Sequence, residues 1–203
     1  MKPTLLAIVG SHRKNGNSYT LTKAVFDSLD ASTAIIQLAD KEIEFCNICG
    51  ACIDRDCILK DDFSNILTQM KKADGIIFAV PKYLTASSKF MAFLERLAVI
   101  VHTRKHGGYA GSVKNPDYTL FSDSKPFCVF ASSGTGEFGE ETLRTITDYI
   151  GYLGLTLVSH DQPPLIAVRL KAGDDKGEVL KNKTAIKQCR ELTQKVIAVA
   201  KKQ

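Results

Sequence analysis

Five short apolar runs, each followed by a stretch with helical spacing, leave this chain few architectures. Residues 5–9 form an unbroken apolar run closed by Gly10, after which Leu21, Ala24, Val25 and Leu29 recur at the intervals of one helix face. The second run, 34–38, leads through a cysteine-rich loop to a helical pattern with Phe63, Ile66, Leu67 and Met70. The third, 75–80, precedes Phe90, Leu94, Leu97, Ala98 and Val101; the fourth, 126–131, precedes Leu143, Ile146, Ile150 and Leu153. The fifth, 155–158, precedes Ile186, Cys189, Val196 and Val199. Strands that are apolar along their whole length are covered on both faces, and alternation with helices makes them parallel. The expectation is an α/β doubly wound sheet of five parallel strands in the order 2-1-3-4-5. With 203 residues and no Pro/Gly/Ser-rich linker, one domain over 1–203 is expected. Two connections, about 103–125 and 160–182, exceed what such a domain needs; each reads as functional, a lid or subunit contact, or as disordered.

The loop after the second run carries Cys46, Cys49, Cys52 and Cys57, a C-x2-C-x2-C-x4-C spacing. Two-residue gaps let successive thiolates curl around one object while backbone N–H groups point at the sulfurs, which suits a 4Fe-4S cluster held by four cysteines. Zinc also takes four thiolates, but usually from two separated hairpins. Disulfides, or unligated thiols in a metal-free loop, are also compatible with the run. Ile58 follows Cys57 where a bacterial ferredoxin has proline, so a ferredoxin domain is not implied. The N-terminal apolar run is too short for a signal peptide and no segment reaches membrane-spanning length, so the expected location is cytoplasmic, where clustered thiols favour metal over disulfide. The net charge of +5 is scattered; it favours anionic ligands without forming a nucleic-acid groove.

A ligand of an open parallel sheet lies beyond the carboxyl ends of the strands, where the strand order reverses. Residues 10–18, after the first strand, read as a phosphate loop entering a helix. Gly10 and Gly16 allow tight turns, Ser11 and Ser18 offer hydroxyls beside Asn15 and Asn17, and Arg13 can meet phosphate oxygens with two N–H groups. Helix-start N–H groups add donors. The simpler alternative is a glycine turn in which Asn17 or Ser18 caps the helix. After the third strand, Pro81, Lys82, Tyr83, Leu84 and Thr85 can border a flat ring, with Tyr83 stacked beside it or, alternatively, in the core. After the fourth, Ser132, Ser133, Gly134 and Thr135 complete the rim. The spacing is neither a dinucleotide fingerprint nor a Walker A loop; it suits a ring carrying a single phosphate.

These segments, with Asp61, Asp62, Ala73, Asp74 and residues 93–96, resemble the flavodoxin-like NADPH-dependent FMN reductase superfamily, and the cysteine run is similar to its iron-sulfur flavoprotein branch. The resemblance covers nearly the whole chain. It implies FMN on the three loops, a 4Fe-4S cluster on Cys46, Cys49, Cys52 and Cys57, and a homodimer or tetramer that brings cluster and flavin together across subunits. The function implied is electron transfer between cluster and FMN, from a ferredoxin-like donor to a small acceptor. A cluster-free NAD(P)H-dependent FMN or quinone reductase is the alternative enzyme, and an electron carrier or redox sensor the non-enzymatic one.

Other residues read more simply. Cys128 and Cys189 lie on apolar faces and are expected to pack; Asp61 and Asp62 start a helix; Glu95 and Arg96 are expected on a solvated or interface face. Arg55 and Lys60 are the cations expected near the thiolates. His12 reads equally as a phosphate donor or as solvent-exposed, and no acid–base catalyst stands out.

Overall fold

A computed structural model describes residues 2–83, 85–107, 115–121, 124–133, 140–159, 168–171 and 175–202. Its strands are β1 (Thr4–Val9), β2 (Ser32–Gln37), β3 (Gly75–Pro81), β4 (Pro126–Ser133), β5 (Thr156–Leu157) and β6 (Val168–Lys171). The helices are α1 (Asn17–Phe26), α2 (Phe63–Lys72), α3 (Ser88–His106), α4 (Glu140–Tyr152) and α5 (Lys183–Ala200). All strand pairs in the sheet are parallel and the order is β2-β1-β3-β4-β5, the flavodoxin-like arrangement.

The fifth position differs from the expected single strand. β5 pairs only with Pro126 and Phe127 of β4, and β6 takes up the same edge from Phe130 to Ser133. β4 is buried along its length, so the backbone groups beyond Phe127 need a partner, and β6 supplies it. The expected connection over 160–182 therefore holds a strand and a short turn at Glu178–Lys181; residues 160–167 and 172–174 lie outside the described set. The other long connection starts later than expected, since α3 continues to His106 and closes on Gly107 at φ 74.

Strand alternation divides the core in two. Leu6, Ile8, Ile76, Phe78, Phe127 and Val129 face α2, α3 and α4, while Leu5, Ala7, Val9, Ile77, Cys128 and Phe130 face α1 and α5. Period-two side-chain direction on two covered faces produces this split. On α2 the buried residues Phe63, Ile66, Leu67 and Met70 make one stripe. Cys128 and Cys189 are wholly buried packing residues, and burial drives both thiols well above their usual range.

Gly10 serves close packing. A Cβ there would sit 2.9 Å from Cβ of Phe90 on α3, and Ser87 reinforces the contact by donating to the Gly10 carbonyl while accepting from Phe90 N–H at 3.2 Å. Gly10→Val is therefore expected to cost about 1–3 kcal/mol in urea unfolding, the range for overpacking; an unchanged midpoint would contradict the contact.

Candidate functional site

The loop after β1 is shaped by its own hydrogen bonds. Ser11 is buried, and its Oγ accepts from Arg13 N–H at 3.0 Å; Gly16 N–H reaches the Arg13 carbonyl at 3.2 Å. The left-handed turn residue is Asn15, at φ 52, and not either glycine. Gln37 at the end of β2 holds it there, accepting from Asn15 N–H at 2.7 Å and donating to the Asn15 side chain at 3.1 Å. Asn17 turns to the segment before α5: its amide donates to the Asp175 carbonyl at 2.9 Å and accepts from Gly177 N–H at 2.8 Å. Gly16, at the cap position of α1, has no side chain to cap it, and the first N–H groups of the helix, which lack intrahelical acceptors, face the loop.

Two bonds close the rim. Ser18 Oγ and Ser132 Oγ lie 3.0 Å apart, and Lys82 N–H donates to the Ser132 carbonyl at 2.7 Å. Tyr83 N–H donates to the Thr85 carbonyl at 3.0 Å, a tight turn that leaves Tyr83 46% exposed at its tip. Its ring lies 5.2 Å from that of His12, whose Nε2 is 3.2 Å from Ser88 Oγ at the start of α3. The core alternative for Tyr83 is excluded by this exposure.

Ser11, His12, Arg13, Asn17, Ser18, Pro81, Lys82, Tyr83, Ser132 and Ser133 line one cavity of about 470 Å³. It sits at the carboxyl ends of β1, β3 and β4, at the strand-order reversal, and its size is that of a small-molecule site. Asn15 and Thr85 are not among the residues that line it; Leu84, Gly134 and Thr135 lie outside the described residues. His12 joins the lining although its sequence position left it ambiguous. A larger cavity of about 950 Å³ lies elsewhere, along α3 and α4, lined by Phe45, Met91, Leu94, Val99, Tyr149 and Tyr152 among others. Ser88 at its edge meets His12 of the smaller cavity, but among the described residues none from the loops after β1, β3 and β4 lines it.

The cysteine loop is pinned against α3. Glu42 and Glu44 N–H groups donate to Asp62 at 2.9 Å and Asp61 at 2.8 Å. Arg104 donates to the Cys52 carbonyl at 2.9 Å and the Arg55 carbonyl at 3.0 Å, and Lys89 to the Lys41 carbonyl at 2.9 Å. Ile48 and Gly50, at φ 54 and 72, bend the chain so that Cys46, Cys49, Cys52 and Cys57 rim a single cavity of about 30 Å³, floored by Val99, Ile100 and Thr103. Cys49 is exposed and Cys52 buried; burial raises the Cys52 thiol despite the opposing hydrogen bond with Thr103. Among the described residues, no three His, Cys, Asp or Glu side chains converge as a site for one metal ion. The thiols surround a space without meeting at a point.

One expectation about this region needs correction. Arg96 is not on a solvated face: its side chain is 1% exposed and pairs with Asp61, equally buried. The helix turn packs Phe63 under it, the guanidinium carbon lying 4.0 Å from the ring centroid. Arg55 is 69% exposed and faces Asp54 at 3.6 Å, so solvent and that carboxylate both weaken its field at the thiolates. Asp61 accepts from Phe63 N–H at 3.2 Å, so the expected helix-start role holds alongside the ion pair.

The family described as NADPH-dependent FMN reductase matches residues 3–165. An iron-sulfur flavoprotein of Archaeoglobus fulgidus is 30% identical over 115 residues, 53% of this chain and 52% of the relative. One from Methanocaldococcus jannaschii is 25% identical over 150 residues, 71% of this chain and 69% of the relative. The chain thus spans about half the length of the first of these curated relatives. Among solved structures, the Trp repressor binding protein from Bacillus subtilis has the same fold, with a TM-score of 0.60 at 17% identity, covering 93% of this chain and 99% of that one.

Proposed function

Because the chain belongs to the NADPH-dependent FMN reductase family, we propose that it is a flavin-dependent oxidoreductase that exchanges electrons between FMN and a 4Fe-4S cluster, drawing on a ferredoxin-like donor and passing them to a small acceptor. The observation that carries the reading is the pairing, in one chain, of a phosphate-type cavity at the strand-order reversal with a four-thiol cavity on α3. The donor sets fit the two groups. Ser11, Ser18 and the start of α1 offer neutral donors to a phosphate, Arg13 adds charge, and Pro81, Lys82, Tyr83, Ser132 and Ser133 border the remaining space. Cys46, Cys49, Cys52 and Cys57 are an all-sulfur set lining one cavity, and four cysteines closely spaced in one loop suit an iron-sulfur cluster better than the two separated hairpins usual for zinc. When bound, FMN supplies one- or two-electron chemistry and the cluster one-electron chemistry, while the protein supplies position and electrostatics.

Tyr83 and His12, at the exposed edge of the cavity, would screen one side of the bound ring, and the Ser18–Ser132 contact holds the two flanking loops at fixed spacing. Exposed Phe45, Ile48, Ile58 and Tyr149 support a homo-oligomer, dimer or tetramer, since side chains of this kind next to a redox site are better covered by a partner. Among the described residues no helix is long and apolar enough to cross a membrane.

Anaerobic purification followed by FMN, iron and sulfide analysis tests the reading. FMN near one per chain with iron and sulfide is the expected result; FMN without either would transfer the assignment to an NAD(P)H-dependent, cluster-free reductase. Arg13→Ala is expected to weaken FMN binding by about 1.5–3 kcal/mol, the scale of a lost charged hydrogen bond, with riboflavin binding changed far less. Fluorescence titration of the apoprotein measures both ligands, and equal losses for the two would remove Arg13 from the phosphate.

A further inference from the structure

We infer that Arg96 is a positioning residue for the cysteine site, a buried cation whose hydrogen bond to Cys57 Sγ orients that sulfur and stabilises the electron-rich state of a bound cluster. The inference rests on the cluster reading above. Arg96 Nη2 donates to Cys57 Sγ at 3.3 Å, Nη1 is shared between Asp61 and the Glu44 carbonyl at 3.3 Å, and Nε is buried with no hydrogen-bond partner among the described residues. If Arg96 only tied the loop to α3, the Asp61 and Glu44 contacts would be enough. The third contact is to sulfur.

Charge and burial give that contact its consequence. Four thiolates concentrate negative charge, and a single electron arriving from the donor adds to it without making or breaking a bond. Asp61 lies on the Nη1 side and Nη2 on the sulfur, so the buried pair turns its positive end to Cys57; in low dielectric, out of reach of salt, that end acts on the cluster's charge more strongly than an exposed cation would. Arg55 is 69% exposed and Lys60 is exposed, whereas the Arg96 side chain is 1% exposed. Hydrogen bonds to cluster sulfurs and burial are the protein's levers on cluster potential. Removing Arg96 is therefore expected to make the cluster harder to reduce.

Arg96→Gln combined with Asp61→Asn removes both buried charges together and strands neither. Anaerobic redox titration, followed by EPR for the cluster and absorbance for the flavin, is run on the oligomer as purified. The expected result is parent-like iron, sulfide and FMN content, a cluster reduction equilibrium shifted at least tenfold toward the oxidised state, about 59 mV for one electron, and an unmoved flavin couple. An unmoved cluster couple, or equal shifts of both couples, overturns the inference. If the double variant does not load iron, Arg96→Lys decides by the same titration. Lysine lacks the fork that spans Asp61 and Cys57, so a lowered cluster potential supports the role and an unchanged one overturns it. A parent free of iron and sulfide would overturn the cluster reading and this inference with it; a loaded parent with an unshifted variant overturns the inference alone.

Discussion

Asp61→Ala is expected to lose about 3–5 kcal/mol of folding stability, the cost of leaving one member of a buried ion pair without its partner. The Asp61 and Arg96 side chains are each 1% exposed, and Asp61 also accepts from Glu44 N–H at 2.8 Å and Phe63 N–H at 3.2 Å. Alanine removes three acceptor contacts and strands a guanidinium between Phe63 and the cysteine loop. The pair Lys23 and Asp27 on α1 is a useful contrast. It is well formed, at 2.8 Å, yet 52% and 62% exposed, so Lys23→Ala should leave the unfolding midpoint unchanged. Urea unfolding of both variants against the parent makes the comparison. A loss below about 1 kcal/mol for Asp61→Ala, the range of surface pairs, would mean that water reaches the site.

The same pair predicts a pH dependence. Burial alone would push the Asp61 carboxyl up, but the Arg96 guanidinium and the backbone N–H groups of Glu44 and Phe63 outweigh it and hold the carboxyl below its usual range. A carboxylate depressed in the folded state contributes its full stabilisation above the unfolded value, about pH 4, and loses it as pH falls through the lower folded value. The gap between parent and Asp61→Ala should be largest at neutral pH and shrink in strong acid. A gap independent of pH would separate the stabilisation from ionisation of Asp61.

Strand order and site position were legible because they follow from local patterns. Apolar runs announce strands covered on both faces, and the strand-order rule then puts 10–18, 81–85 and 132–135 on one rim. What each side chain does there was less legible. Asn15 and Asn17, read beside the hydroxyls of the phosphate loop, have amides that bond Gln37 and the turn at 175–177, partners 22 and 160 residues away, and Asn17 lines the cavity as well. Such partners have no local signal. β6 did carry one: Leu165, Ile166, Ala167 and Val168 are an apolar run leading into Arg169, Leu170 and Lys171, inside a connection read as a loop. Arg96 was misassigned because its charge was weighed above its register. It follows Phe93 by three positions and precedes Ile100 by four, which places it on the buried stripe of α3. A charged residue on such a stripe requires a partner, and only the fold brings Asp61 and Cys57 to it.

Cys49→Ala is expected to bring the iron and sulfide of anaerobically prepared protein to background while leaving FMN bound. The thiol is exposed, so its loss removes no core packing and the fold should be unchanged by circular dichroism. The two cavities share no lining residue: the thiols lie over α3 in residues 46–57, and the flavin-type cavity is built by the loops after β1, β3 and β4. Losing a ligand to one need not disturb the other. Cys189→Ala is the control, since that wholly buried cysteine, on α5, packs against α1 and the sheet, and the variant should keep its iron even at some cost in stability. Stopped-flow absorbance then separates the two redox readings. If single electrons enter through the cysteine site, reduced ferredoxin should reduce the flavin of the parent but only slowly that of Cys49→Ala. Rapid reduction of both proteins by NADPH, with equal ferredoxin rates, would instead assign the flavin its own hydride donor and leave the four cysteines a structural loop on α3.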